Sequence, residues 1–433
     1  MTGMLELSAT EMAAAIAAGT LDPVDLVEAT LARIDLREPD VHAWAHLDTE
    51  RARADAKAMS AEARAGKLRG PLHGVPIGIK DVFHAEGMPT LANSQTMDPD
   101  ATYADSGVVA ALRKAGAIII GKATTVEFAG MGVPPASRNP WNLAHTGGGS
   151  SSGSGVAVGA SMVPAAIGSQ TGGSNVRPAA YNGVTGMKPS YGALPRSGLL
   201  PVAWSLDHPG LIARSASDLE LLFTALAKTK PATVEAPKKW RFGVPREFFF
   251  ETSTPDTVAK VDAALARFTD VDFVDVKLPE LFKAHRAIHH LIMCTEMAVF
   301  HAPRMDVHRD TMSERHLLLA EAFALVPAGY YLQALRAKRM LVEQMTALFD
   351  SIDVLAMPTT PGPAPAGLES TGDASLQVPW SLTGFPEVTV PCGFADNGLP
   401  LGLQFVGPLG SDLTVIKAAI EAERILGRLD LPA

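Results

Sequence analysis

Apolar positions recur with a helical period at the start of the chain. Val24, Leu26, Val27, Thr30, Leu31 and Ile34 trace one face of a helix that Pro23, favoured in a first turn, opens, and Ser8 and Thr20 stand where N-caps belong. Residues 1–65 therefore read as a helical N-terminal segment. From Gly70 the texture changes to short apolar runs at 75–79, 117–120 and 156–158, separated by glycine-rich turns and a helical stretch at 108–114. Such runs read as buried strands, and their alternation with helices predicts a mostly parallel sheet covered on both faces. From about 230 to 345 the helical period returns, with Val258, Val261, Ala264, Leu265 and Phe268 in register and a long run at 331–349, so this stretch is expected to be a helical insertion or cap. Strand patterns at 353–357, 388–391 and 401–406 precede a closing helix at 413–425. With no linker to divide it, the chain reads as one domain over 1–433.

Composition narrows the class. Of 433 residues 47% are hydrophobic and 19% charged, enough apolar material for a large core and too little charge for a disordered chain. A net charge of −9 argues against a general grip on nucleic acid or an anionic membrane, which leaves small molecules as the expected ligands. Two cysteines, Cys294 and Cys392, make neither a disulfide framework nor a cysteine-rich metal site, and the first residues carry no secretory signal pattern, so a cytoplasmic location is expected. No apolar stretch approaches the ~20 residues of a membrane helix.

Candidate chemistry concentrates where glycine does. Lys80 closes the apolar segment Gly-Val-Pro-Ile-Gly-Ile-Lys-Asp at 74–81, at the mouth of a strand rather than on a polar face. Taking a lysine from a pKa of ~10.4 to near 7 requires roughly 4–5 kcal/mol of unfavourable surroundings, which burial at a strand end can supply. Read alone, the same residue fits a surface lysine beyond an edge strand better than a catalytic one. Ser150 and Ser174 lie in Gly-Gly-Gly-Ser-Ser-Ser-Gly at 147–153 and Thr-Gly-Gly-Ser at 171–174. Turns without β-carbons can aim backbone N–H groups at a developing oxyanion, although either one alone is also an ordinary tight turn.

Together these segments, with those at 116–122, 139–142, 172–178, 183–191, 357–361 and 391–408, resemble the amidase signature family from about Thr10 to Glu423. The resemblance implies an α/β fold with a large twisted mixed β-sheet core covered by helices on both faces. It also implies an amidase that cleaves carboxylic amide C–N bonds through an acyl-enzyme. Ser174 would be the nucleophile, Ser150 the bridge and Lys80 the base, and the N–H groups of Thr171, Gly172, Gly173 and Ser174 the oxyanion donors. A cis peptide before Ser150 and the absence of any cofactor or metal follow from the same likeness. Anilides, esters and carbamates (urethanes) are chemically accessible to the same centre.

One departure is informative. Gly-Ser-Gln-Thr-Gly-Gly-Ser at 168–174 carries Gln170, and Arg177 stands three residues beyond Ser174, a version resembling the malonamidase branch. Arg177 is thus either a holder of a substrate carboxylate or part of a structural ion pair. Tyr181-Asn182 replaces an aromatic-Cys pair common in the family. Two other classes stay open: a tRNA amidotransferase's glutaminase component, its A subunit, which the Gln170 and Arg177 departures oppose, and a non-catalytic amidase-like scaffold. The resemblance suggests a homodimer.

Three motifs compete. Gly149-Ser-Ser-Ser-Gly153 fits G-x-S-x-G and would nominate Ser151, but the preceding 140–146 does not read as the required strand. The segment 116–123 falls short of a phosphate loop because Ala123 replaces its Ser or Thr. His285 and His289 share a helical face without the H-E-x-x-H glutamate, and read as core or surface histidines rather than zinc ligands.

Overall fold

The computed structural model describes residues 2–100 and 102–432; Met1, Ala101 and Ala433, assigned above to the same domain, lie outside the described residues. Helix α1 (Ala9–Ala17) opens on Ser8, whose side chain accepts from the Glu11 N–H in a capping box. Helix α2 (Pro23–Val41) is capped by Asp22, not Thr20, because Asp22 immediately precedes Pro23 and accepts from the Val24 N–H. The N-terminal segment is not wholly helical: β1 (Trp44–Leu47) separates α2 from α3 (Thr49–Arg64) and joins the edge of the main sheet.

Next come β2 (Pro76–Lys80), α4 (Gly107–Lys114), β3 (Ile118–Ala123) and a small ribbon of β4 (Arg138–Asn139) and β5 (Asn142–Thr146). The run at 156–158 falls inside α5 (Ser152–Gly159), a correction to the strand reading. Every residue of α5 is buried, so it has no polar face to reveal a helical period. Strand β6 (Ala165–Gln170), α6 (Val176–Tyr181), β7 (Thr185–Lys188), β8 (His208–Ala213) and α7 (Ala216–Leu226) complete the first half.

The stretch 230–345 departs from a purely helical cap. It contributes β9 (Trp240–Val244), α8 (Pro255–Leu265) and β10 (Val271–Asp275) before three helices, α9 (His285–His308), α10 (Glu314–Ala324) and α11 (Ala328–Thr346). Strands β11 (Val354–Pro358), β12 (Glu387–Phe394) and β13 (Pro400–Val406), with α12 (Val378–Thr383) between the first two and α13 (Asp412–Leu426) at the end, close the chain.

Among the described residues eleven strands form one sheet in the order β1-β3-β2-β6-β8-β7-β12-β13-β11-β9-β10. The sheet is mixed rather than mostly parallel. Strands β3, β2 and β6 run parallel at one end and β11, β9 and β10 at the other. Between them, β6, β8, β7, β12, β13 and β11 pair antiparallel, the short turn from β12 to β13 permitting nothing else.

Both faces are covered. Ile118 and Ile120 enter the core beneath α2, α3 and α5, whereas Ile119 joins Ile77, Ile79 and the residues of α1, α4, α7 and α13 on the other side. This alternation matters at the site: Gly78 lies against the Trp44 ring on the α5 side, and Lys80, two residues on, emerges toward the same layer.

Candidate active site

Parallel pairing brings the ends of β2 and β6 abreast, with Ile79 opposite Ile167, and α5 starts directly above them. Lys80 is fully buried, its Nζ 2.7 Å from Ser150 Oγ and 2.9 Å from Ser169 Oγ. Burial holds the Lys80 pKa well below the ordinary lysine range, with the nearby Asp207 acting in the opposite direction. The surface-lysine alternative is therefore set aside. Ser169 escaped the sequence reading, although its position at a strand end parallel to β2 places it beside Lys80.

Ser150 and Ser174 line the same cavity, of about 860 Å³, together with Thr171, Gly172, Gly173 and Arg177. The Gly149–Ser150 peptide is cis. Ser151, the competing nucleophile, is fully buried and exchanges hydrogen bonds with the backbone of Ser169, its Oγ donating to Ser169 O and accepting from Ser169 N, both at 3.1 Å. The sequence before it does form a strand, β5, yet that strand belongs to the two-stranded ribbon and builds no elbow on the main sheet.

Gln170 is a structural brace. Its Oε1 accepts the N–H groups of Asn175 and Val176 at 3.0 Å each, and its Nε2 donates to Glu387 at 2.6 Å and Ser381 at 3.1 Å. It thereby satisfies the start of α6 and holds the Thr171–Ser174 turn. Thr171 Oγ1 donates to Asp207 at 2.6 Å, and burial pushes the Asp207 carboxyl up to about 7. Glu387 is pushed up to about 8 by burial, so its proton is retained near neutrality.

Arg177 is buried, and the structural pairing it makes is with neutral oxygens rather than a carboxylate. Its guanidinium donates to Gly149 O and Gly372 O at 2.6 Å each and to Thr371 Oγ1 at 3.2 Å, while Nε has no partner among the described residues. It thus ties the Ser150 turn to the 370–375 loop across the cavity. Asn182 braces the same turn by donating to Gly147 O at 2.8 Å, which gives the Tyr181-Asn182 departure a structural account.

The remaining motifs resolve as structure. The three isoleucines of the would-be phosphate loop are in β3, and Lys122 is paired with Asp81 at 2.8 Å, both buried. His285 is close to Phe282 O and His289 to Thr171 O; among the described residues no group of three His, Cys, Asp or Glu could hold a metal. Among the described residues, too, no single helix is long and apolar enough to cross a membrane.

With that geometry in place, comparison with known proteins agrees with the resemblance. The family model described as Amidase matches residues 25–416. The glutamyl-tRNA(Gln) amidotransferase A subunit of Chloroflexus aurantiacus is 33% identical, over 98% of this chain and 98% of its own. A solved amidase superposes with a TM-score of 0.89 at 31% identity, covering 97% of this chain and 100% of that one. The peptide amidase of Stenotrophomonas maltophilia gives 0.85 at 29% identity, over 99% and 98%.

Proposed function

The chain belongs to the amidase family and is an amide-hydrolysing enzyme, and from that premise we propose that Ser174, Ser150 and Lys80 carry out its chemistry by acyl transfer. Ser174 Oγ attacks the carbonyl carbon as its proton passes to Ser150 and the Ser150 proton passes to neutral Lys80. The N–H groups of Thr171, Gly172, Gly173 and Ser174 receive the oxyanion. The relay then returns a proton to the leaving amine as the C–N bond breaks, and water, activated the same way, hydrolyses the acyl-enzyme.

One observation carries this reading: a fully buried lysine, with no carboxylate hydrogen-bonded to it among the described residues, lies 2.7 Å from the hydroxyl of Ser150. With Nζ neutral, an N–H donates to Ser169 and the lone pair faces the Ser150 proton. Amides are the primary substrates; anilides, esters and carbamates are within reach of the same acyl step. Arg177 lines the cavity, and its buried Nε, without a partner among the described residues, is the donor we assign to a substrate carboxylate. We treat this residue as a specificity element resembling that of malonamidases.

Treatment with a fluorophosphonate should add one adduct at Ser174, found by peptide mass mapping. Ser174→Ala should lose both adduct and hydrolysis, and Lys80→Ala should lower kcat about 10²- to 10⁴-fold. An adduct at Ser151, or a Ser174→Ala enzyme with wild-type turnover, would discard the assignment.

A second reading has its own support: at 33% identity over nearly the full length, the chain is similar to the glutaminase component of tRNA amidotransferases. Acting in that role, it would release ammonia from glutamine and be active in a complex.

A further inference from the structure

A trans peptide points its C=O and N–H in opposite directions, so whatever holds the carbonyl aims the amide. In the turn that follows β6 these carbonyls are held one after another. Thr171 O lies 2.7 Å from His289 Nε2, on α9, and Gly172 O accepts from Ser381 Oγ, on α12, at 2.6 Å. Gly173 O accepts from the Arg177 N–H at 3.3 Å, and Ser174 O from the Ser151 N–H at 2.9 Å. The amides that share planes with the first two carbonyls are those of Gly172 and Gly173. Both residues line the cavity beside Ser174.

We propose that His289 and Ser381 are positioning residues for hydrolysis: by donating to Thr171 O and Gly172 O they fix the planes of the two peptides whose N–H groups stabilise the oxyanion. This rests on the acyl-transfer reading above. Three further features support it. His289 and Ser381 are both buried, which limits competition from water for the two bonds. Ser381 is itself oriented by Gln170 Nε2 at 3.1 Å, and the imidazole packs against Gly172, whose missing β-carbon would lie 3.7 Å from His289 Cε1. Burial takes His289 down to about 4, so near neutrality it is an uncharged imidazole whose Nε2–H can face only an acceptor such as Thr171 O. Donation to a carbonyl also draws electron density from its peptide and makes the paired N–H a stronger donor. Because His289 belongs to α9, the helical stretch read as a cap reaches the catalytic turn through this bond.

The test compares wild type, His289→Phe, His289→Gln and Ser381→Ala with one amide substrate and with a trifluoromethyl ketone, which forms a tetrahedral oxyanion adduct. His289→Phe and Ser381→Ala should each lower kcat about tenfold or more and weaken the ketone by a like factor, with KM within about twofold. His289→Gln, which keeps an N–H donor, should recover most of both losses. A purely structural role would move thermal stability or KM without moving ketone affinity and kcat together. Wild-type-like kcat in both deletion variants, or losses that Gln does not repair, would overturn the proposal. If His289→Phe does not fold, the Gln and Ser381→Ala variants still decide it. A wild type that neither turns over nor takes the fluorophosphonate on Ser174 would overturn the acyl-transfer reading, and this inference with it.

Discussion

Burying an amine next to two hydroxyls, rather than next to a carboxylate, is a choice of protonation state. Lys80 loses its hydration and, among the described residues, receives only Ser150 and Ser169 in exchange, which serve a neutral amine better than an ammonium ion. The Lys80 pKa in the fold therefore lies below that in the unfolded chain. Between the two values the unfolded chain holds a proton that the folded one has released, so stability rises with pH over that interval and levels off above about 10.4. In Lys80→Met this contribution is gone while every other group titrates as before. The melting temperature of wild type relative to the Met variant should thus climb as pH is raised from about 7 to about 10, followed by circular dichroism. A constant difference would mean that Lys80 keeps its proton in the fold. For the same reason the acid limb of kcat/KM should fall where Lys80 takes up its proton, well below the ordinary lysine range.

At the scale of elements, catalytic geometry depends on how closely α5 approaches the sheet. Gly153, the second residue of the helix, would place a β-carbon 2.1 Å from Ala43 O and 2.4 Å from the Thr124 N. Backbone cannot yield there as a flexible side chain would. Gly153→Ala should lift the helix that follows Ser150, costing about 1–3 kcal/mol of stability, measured by urea unfolding, and lowering kcat through Ser150. An alanine variant with unchanged midpoint and turnover would show that the approach is not needed. Glycine in this turn was readable in the sequence as close backbone approach; that the approach is to Ala43 and Thr124 was not, since both lie far away in the chain. Each element missed has its own physical cause. Helix α5 is buried all round and so has no polar face, β1 is only four residues long, and half-exposed β10 offers Val-Asp-Phe-Val-Asp with little apolar continuity. Lys80, Ser150 and Ser174 were legible because they sit in contiguous motifs, and Ser169, though inside one of them, was not, because its partner Lys80 is 89 residues away; Asp207, Ser381 and Glu387 likewise make their contacts with residues distant in the chain.

The whole molecule sets the size of what can be cleaved. The cavity over Ser174 is walled by the Val126–Pro134 region, by Ser150 and the turn at 171–174, by Ala287, His289 and Met293 of α9, and by the loop at 369–375. Its volume of about 860 Å³ falls in the upper part of the range of roughly 300–1,000 Å³ that encloses drug-sized ligands. A glutamine side chain would leave most of that volume to water and would bury little of the apolar wall. Remote binding energy that could raise turnover would go unused. Lys283, Arg286 and Arg315 line the cavity together with Glu369 and Asp373, so it does not select by net charge alone. The isolated chain, without partner, nucleotide or tRNA, should therefore show a higher kcat/KM for aryl and peptidyl amides than for glutamine, by about tenfold or more if a few apolar groups are buried in the transition state. Within that series Arg177→Ala should lower the rate on amides bearing a carboxylate more than on their neutral counterparts, in proportion to what the unpartnered Nε contributes. Two results would redirect the assignment. Glutamine as the preferred substrate, with activity appearing only once a partner copurifies, would favour the amidotransferase role. An unchanged ratio of acidic to neutral amides in the Arg177 variant would reduce that residue to the tie it makes between Gly149 and Gly372.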